Sequence, residues 1–203
     1  MSNELQARID RMRYALGATR SENLDGLKVD CSVGATSVSF VMDFNQGRSP
    51  TELEYSAYAL IANIASIKDY LKRWCTQHGK PFLGDQLIDT NVDVAIVHDL
   101  WNTDKHAALN RPPRSGRRPI LRELRQVMTL ETGTTAGSWA IFTFDPRTGL
   151  PSAGTGEGGS ATLRIDAQIV DEQGTTVDSL QEVCARSIDS WDGTLRNAGV
   201  PLA

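Results

Sequence analysis

The chain has 203 residues, 40% of them hydrophobic, and 21 lysines and arginines against 25 acids give it a net charge of −4. That suits a single α+β domain over residues 1–203 with an apolar core, and is too evenly charged for a disordered chain or a globally basic nucleic-acid binder. The apolar run Ala57 to Ile67 is interrupted by Asn63 and Ser66 and falls short of the ~20 residues of a membrane helix; Met1-Ser2-Asn3-Glu4 lacks a signal-peptide core, so the expectation is a cytoplasmic protein without a membrane partner.

From the N-terminus, Leu5, Ile9, Met12 and Leu16 fall at helical spacing over residues 3–20, with Arg8, Arg11 and Arg13 around them. From Leu27 the period changes to two. Val29, Cys31 and Val33 alternate with polar residues, then Val38, Phe40, Met42 and Phe44 do the same, and Gly34-Ala35 between them predicts a hairpin. After Ser49-Pro50, the positions Leu53, Ala57, Leu60, Ile61, Ile64, Ile67, Leu71 and Trp74 predict one helix from Thr51 to about His78, ended by Gly79-Lys80-Pro81. A third helix is expected from about Asp85 to Leu109, stopping before Pro112-Pro113, and would pair antiparallel with the second.

Residues 111–125 hold six arginines against one acid, Glu123, while residues 152–203 hold eight acids against three arginines. Within it, Arg111-Pro-Pro-Arg114-Ser-Gly-Arg117-Arg118 reads as a flexible basic loop. Further on, Trp139 to Phe144 and Thr162 to Val170 are strand-like and predict a second hairpin, with the Gly-, Pro- and Ser-rich stretch Asp145 to Ser160 as a weakly ordered connection. A last helix is expected from Val177 to Arg196, capped by Thr176 or Asp178. The fold class that results is α+β: about four helices packed with a small antiparallel sheet made of the two hairpins.

Cys31, Cys75 and Cys184 form no C-x-x-C pair, which excludes a disulfide framework and a multi-cysteine zinc site and leaves buried thiols as the expectation. The run Gly154 to Gly159 lacks the Gly-Lys-Ser/Thr of a phosphate loop and precedes a strand instead of a helix, so it reads as a connector. No cofactor and no metal is expected.

Most of the reactive chemistry lies in His98-Asp99-Leu100-Trp101-Asn102-Thr103-Asp104-Lys105-His106. At about 100° per residue, Asp99, Asn102 and His106 share a narrow arc of one helix beside the apolar stripe, while His98, Asn102 and Lys105 form a second cluster farther towards solvent, and either could be a site. A carboxylate beside an imidazole fixes its tautomer and raises its pKa, which suits His106 to general acid–base work, with Lys105 stabilising an anion. The same side chains also fit a structural role, a hydrogen bond to a neighbouring helix. Arg111, Arg114, Arg117 and Arg118 follow directly and are candidates for phosphate contacts, although no aromatic platform accompanies them.

A long helix followed by one bearing D-L-x-N-x-x-K-H (Asp99 to His106) resembles HEPN-domain proteins of bacteria, over about residues 51–110. The resemblance implies a homodimer and a metal-independent ribonuclease with His106 as the catalytic histidine. The family's arginine, four to six residues before that histidine, would fall on Asp99, Leu100 or Trp101 and is missing. The resemblance therefore points to an RNA-binding protein in which catalysis by Asp99, Asn102, Lys105 and His106 is open. The alternative is a noncatalytic protein-interaction module. The doublet His98-Asp99, with His78 upstream, also resembles the HD phosphohydrolases, but His78 stands beside the helix stop at Gly79 and the doublet is read as chance.

Overall fold

Six helices and eight strands are seen in a computed structural model that describes residues 2–21, 28–33, 38–43, 47–106, 112–145, 147–148 and 151–202. Helix α1 (Ser2–Ala18) buries Leu5, Ile9 and Met12, the face its periodicity predicts. Strand β1 (Arg20–Ser21) follows, and β2 (Lys28–Val33) pairs antiparallel with β3 (Val38–Asp43), Lys28 opposite Asp43 and Val33 opposite Val38. That is the predicted first hairpin; its turn at Gly34-Ala35, and Phe44, lie outside the described residues.

The predicted helix 51–78 is two helices, α2 (Pro50–Ala65) and α3 (Ile67–His78). A capping box opens α2: the Ser49 backbone N–H donates to Glu52 Oε2 at 2.7 Å, and the Glu52 N–H donates to Ser49 Oγ at 3.3 Å. The Ser49 N–H and the Ser49 hydroxyl, which also donates to Oε2 at 2.9 Å, hold the Glu52 carboxyl below the usual carboxylate range. The break at Ser66 has a side-chain cause. Asn63 Nδ2 donates to the Ala59 carbonyl at 2.7 Å and Ser66 Oγ to the Asn63 carbonyl at 3.1 Å, drawing two carbonyls away from a regular ladder. At the other end Gly79 takes φ +62°, and the Lys80 N–H donates to the Cys75 carbonyl, a left-handed cap as predicted.

The predicted third helix is also two, α4 (Gly84–Thr90) and α5 (Val92–His106). Asn91 is extended at ψ 114°, and its Oδ1 accepts the Val94 N–H at 3.0 Å. A side chain that caps the second segment thereby ends the first. Residues 107–109, where the predicted helix would finish, are outside the described residues.

Strand pairing departs from expectation in the second half. Just beyond the basic segment, residues 120–131 form a strand the sequence does not announce, β4 (Ile120–Glu131). Next, β5 (Ala140–Phe144) pairs antiparallel with β6 (Pro151–Thr155), inside the stretch expected to be a weakly ordered connection. The second hairpin is therefore β5–β6 rather than a pairing of 139–144 with 162–170. Its glycines serve close approach: a Cβ on Gly156 would stand 2.5 Å from the Trp139 ring and one on Gly154 3.0 Å from it, so the chain lies against the indole face. Strand β7 (Ser160–Val170) joins a different sheet, of order β1-β7-β4, with β8 (Thr176–Ser179) also pairing β7.

Helix α6 (Leu180–Ala198) begins later than predicted because residues 176–179 continue as strand. Its cap is Ser179, whose Oγ accepts the Glu182 N–H at 3.3 Å; Thr176 and Asp178 do not fill that role. Ser179→Ala is expected to lower stability by about 1 kcal/mol, read from a urea unfolding curve. The helix buries Leu180, Val183, Cys184, Ile188, Trp191 and Leu195 at i, i+3 and i+4 spacing, each contributing roughly 1.5–3 kcal/mol of transfer free energy.

By contact the chain forms two compact units: residues 1–19, 54–124 and 167–203 in one, 20–53 and 125–166 in the other. Three of the four boundaries fall inside α2, β4 and β7, and the fourth lies between α1 and β1. In the first unit the core joins α1 (Ile9, Met12), α2 (Leu60, Ile61, Ile64), α3 (Leu71, Trp74), α5 (Val94, Val97, Leu100) and α6 (Trp191, Leu195) with Ala167 and Ile169 of β7. Cys75 and Cys184 are free buried thiols within it. In the second unit Leu163 and Ile165 of β7 are fully buried. The chain is mixed helix and strand, and no helix among the described residues is long and apolar enough to cross a membrane.

Candidate functional site

Helix α5 is apolar on nearly every side over Val94–Leu100, all buried, so His98 and Asp99 are carried into the interior with it. Each then has to find polar partners or go without.

Asp99 finds them in the segment after the helix. Its Oδ1 accepts the Arg114 backbone N–H at 3.1 Å; its Oδ2 accepts the Ser115 N–H at 2.8 Å and the Ser115 hydroxyl at 2.7 Å. The carboxylate, 2% exposed as a residue, thus acts as the template on which the turn Pro112–Arg117 folds. Gly116, at φ +77°, completes that turn with its N–H donating to the Pro113 carbonyl. At the far end, the Arg118 N–H donates to Glu172 Oε2 at 2.8 Å, a bond that lowers the Glu172 pKa. The basic segment is therefore pinned at both ends.

His98 goes without: its Nε2 is buried with no hydrogen-bond partner among the described residues. The Trp101 ring stands edge-on to the imidazole at 6.0 Å between centroids. Burial, with Lys68 and Arg114 nearby adding to it and Asp85 opposing them, pushes the imidazole down to about 4. At neutral pH it is uncharged.

Around His98 is a cleft of about 140 Å³ lined by Lys68 and Asp69 of α3, His98, Asp99, Trp101 and Asn102 of α5, and Pro112 and Arg114 of the turn. Lys68 Nζ is 2.7 Å from Asp85 Oδ1, and Arg114 Nη1 is 3.5 Å from the same oxygen and 3.2 Å from Asp89 Oδ1. The Lys68 bond holds the Asp85 carboxyl below its ordinary value. A second cleft of about 250 Å³, lined by Tyr14, Ala18, Tyr55 and Ala59 among others, is more apolar and holds none of the predicted site residues.

Of the residues singled out in the sequence, His98, Asp99, Asn102 and Arg114 come together at this cleft, and His98, expected towards solvent, is buried because α5 packs nearly all round over Val94–Leu100. Lys105 and His106 do not: both are exposed in the last turn of α5, Lys105 with its ammonium 5.0 Å over the Trp101 ring. Asp99 is committed to the turn, and His106 has no carboxylate partner among the described residues. Arg117 and Arg118 are exposed, and Arg111 lies outside the described residues. His78 stacks on Trp74 and bonds the Trp74 carbonyl through Nδ1 at 2.8 Å, a helix-end role. Lys68, His98 and Trp101 were not singled out as a group. Lys68 lies thirty residues before His98 on another helix, and only the packing of α3 near α5 relates them.

Comparison with family models, curated proteins and solved structures finds no match to this chain.

Proposed function

We propose that the protein binds RNA through the phosphate backbone, with Arg114, Arg117 and Arg118 on the turn that Asp99 organises. The observation that carries this reading is the three hydrogen bonds from Arg114 and Ser115 to the buried Asp99 carboxylate. They hold a basic segment in one shape with Arg114, Arg117 and Arg118 exposed, so little conformational entropy is lost when phosphates dock. The reading stops at binding, since among the described residues His106 has no carboxylate partner to orient it for acid–base work.

Labelled single-stranded RNA titrated by anisotropy at two salt concentrations tests it. Each arginine–phosphate contact contributes about 0.7 to the slope of log K against log salt, so Arg117→Ala/Arg118→Ala is expected to flatten the slope by about 1.4. Absence of binding, or an unchanged slope in the double variant, overturns the reading. EDTA-resistant cleavage lost in His106→Ala would overturn its noncatalytic part.

A further inference from the structure

The cleft beside His98 has a chemistry of its own that Arg117 and Arg118 do not share. We propose that it is a binding site for a single tetrahedral oxyanion of the phosphate type, held by Lys68, Arg114, Asn102 and the Nε2–H of His98.

Size comes first. The cleft measures about 140 Å³, close to a ~150 Å³ cavity that takes up benzene, a molecule of six heavy atoms. Phosphate has five. A whole nucleotide does not fit, which restricts the occupant to an inorganic ion or the terminal phosphate of a larger molecule.

Donors come second. Lys68 carries three N–H donors and Arg114 five. Among the described residues, the Lys68 ammonium pairs with Asp85, and the Arg114 side chain is engaged only through Nη1, with Asp85 and Asp89. Donors remain on both. The Asn102 amide and the unpartnered, buried Nε2 of His98 complete a set that accepts negative oxygens. Because the imidazole is neutral at pH 7, it donates one hydrogen bond from Nε2 in the matching tautomer and adds no proton equilibrium to binding.

Charge comes third. Asp99 carries a carboxylate at the cleft whose oxygens face the donors of the turn, and Asp85 and Asp89 pair with Lys68 and Arg114, so an incoming oxyanion competes with these carboxylates for the two cations. Asp69 brings another and opposes an anion. It therefore supplies a variant of opposite sign.

The three histidines make the test internal. With inorganic phosphate added at pH 7 to the full chain, the imidazole NMR signals of His98 are expected to shift saturably while those of exposed His78 and His106 stay in place. Lys68→Met and Asn102→Ala are each expected to weaken the fitted affinity at least about tenfold, a loss of about 1.4 kcal/mol. Asp69→Asn should tighten it, and Arg117→Ala/Arg118→Ala should leave it alone. The persistence of the shielded His98 signal reports that a variant is folded. No shift at His98, a shift shared equally by all three histidines, or an unchanged affinity in folded Lys68→Met overturns the proposal. A 5′-phosphorylated oligoribonucleotide compared with its 5′-hydroxyl twin separates the sources: preference for the former assigns a terminal phosphate, and equal affinity a free oxyanion. A saturable His98 shift without any RNA binding would sink the RNA reading alone.

Discussion

Asp99→Ala is expected to lower stability by about 3–4 kcal/mol and to release the turn Pro112–Arg117 from the helix that holds it. Three donors from that turn end on the one carboxylate, at 3.1, 2.8 and 2.7 Å. Hydrogen bonds to a charged group contribute about 1.5–3 kcal/mol each, but the variant also relieves the cost of burying the charge, so the three do not add in full. Asp99→Asn keeps one acceptor oxygen and replaces the other with an N–H facing donors. It is expected to lose at least as much order in the turn as Asp99→Ala while keeping side-chain volume. Urea unfolding measures the stability, and amide exchange at Arg114 and Ser115 the release. A loss under about 1 kcal/mol with both amides still protected would mean that the turn is held by something else. RNA affinity should fall with the turn, because the arginines then lose their common orientation.

That role for Asp99 was not legible in the sequence. Proximity along α5 joined Asp99 to His106, seven residues on; the structure joins it to Arg114 and Ser115, beyond the end of the helix. Helical periodicity tells which residues share a face but not which loop folds back onto it. The same limit explains the two helix breaks. The apolar stripe runs through Ser66 and Asn91 unbroken, because each break is made by a polar side chain that bonds the backbone and leaves the buried face intact. Strand β4 escaped notice for a local reason. Leu121 and Leu124 both pack on the core, three residues apart, which a regular strand with period two forbids. Glu123 between them takes φ +51°, and that reversal puts both on one side. Where no such device intervenes, in α1, the β2–β3 hairpin and the buried face of α6, period alone placed the elements.

Composition misled in one place. Glycines between Asp145 and Ser160 signal mobility when nothing large is nearby, yet here Gly154, Gly156 and Gly159 are the residues small enough to lie against Trp139. In the sequence the indole marks the start of a strand; in the structure it is also the reason for the glycines that follow it. A single large aromatic before a Gly-rich run is a packing signal as much as a turn signal.

The other large effect expected is with pH. The His98 imidazole is held at about 4 by burial, with Lys68 and Arg114 adding to the shift; in the unfolded chain it returns to an ordinary 6.5. Above pH 6.5 it is neutral in both states and contributes nothing to the pH dependence. As pH falls below 6.5 the unfolded chain takes up a proton that the folded protein refuses, so stability drops. The drop is complete near pH 4, where the folded protein also protonates. Across that window the loss approaches about 3 kcal/mol, at 1.36 kcal/mol for each unit of displacement. Carboxylates such as Asp85 and Asp178, whose folded pKa values are lowered, add their own loss at the acid end of the range. The comparison that isolates His98 is therefore wild type against His98→Gln, unfolded in urea at pH 7, 6, 5 and 4. The glutamine variant should begin less stable, because the ring packing against Trp101 is gone, and the gap should close or reverse as the pH approaches 4. A gap that stays constant from pH 7 to 4 would mean that the imidazole titrates alike in both states, and that it is far better solvated than its 5% exposure implies.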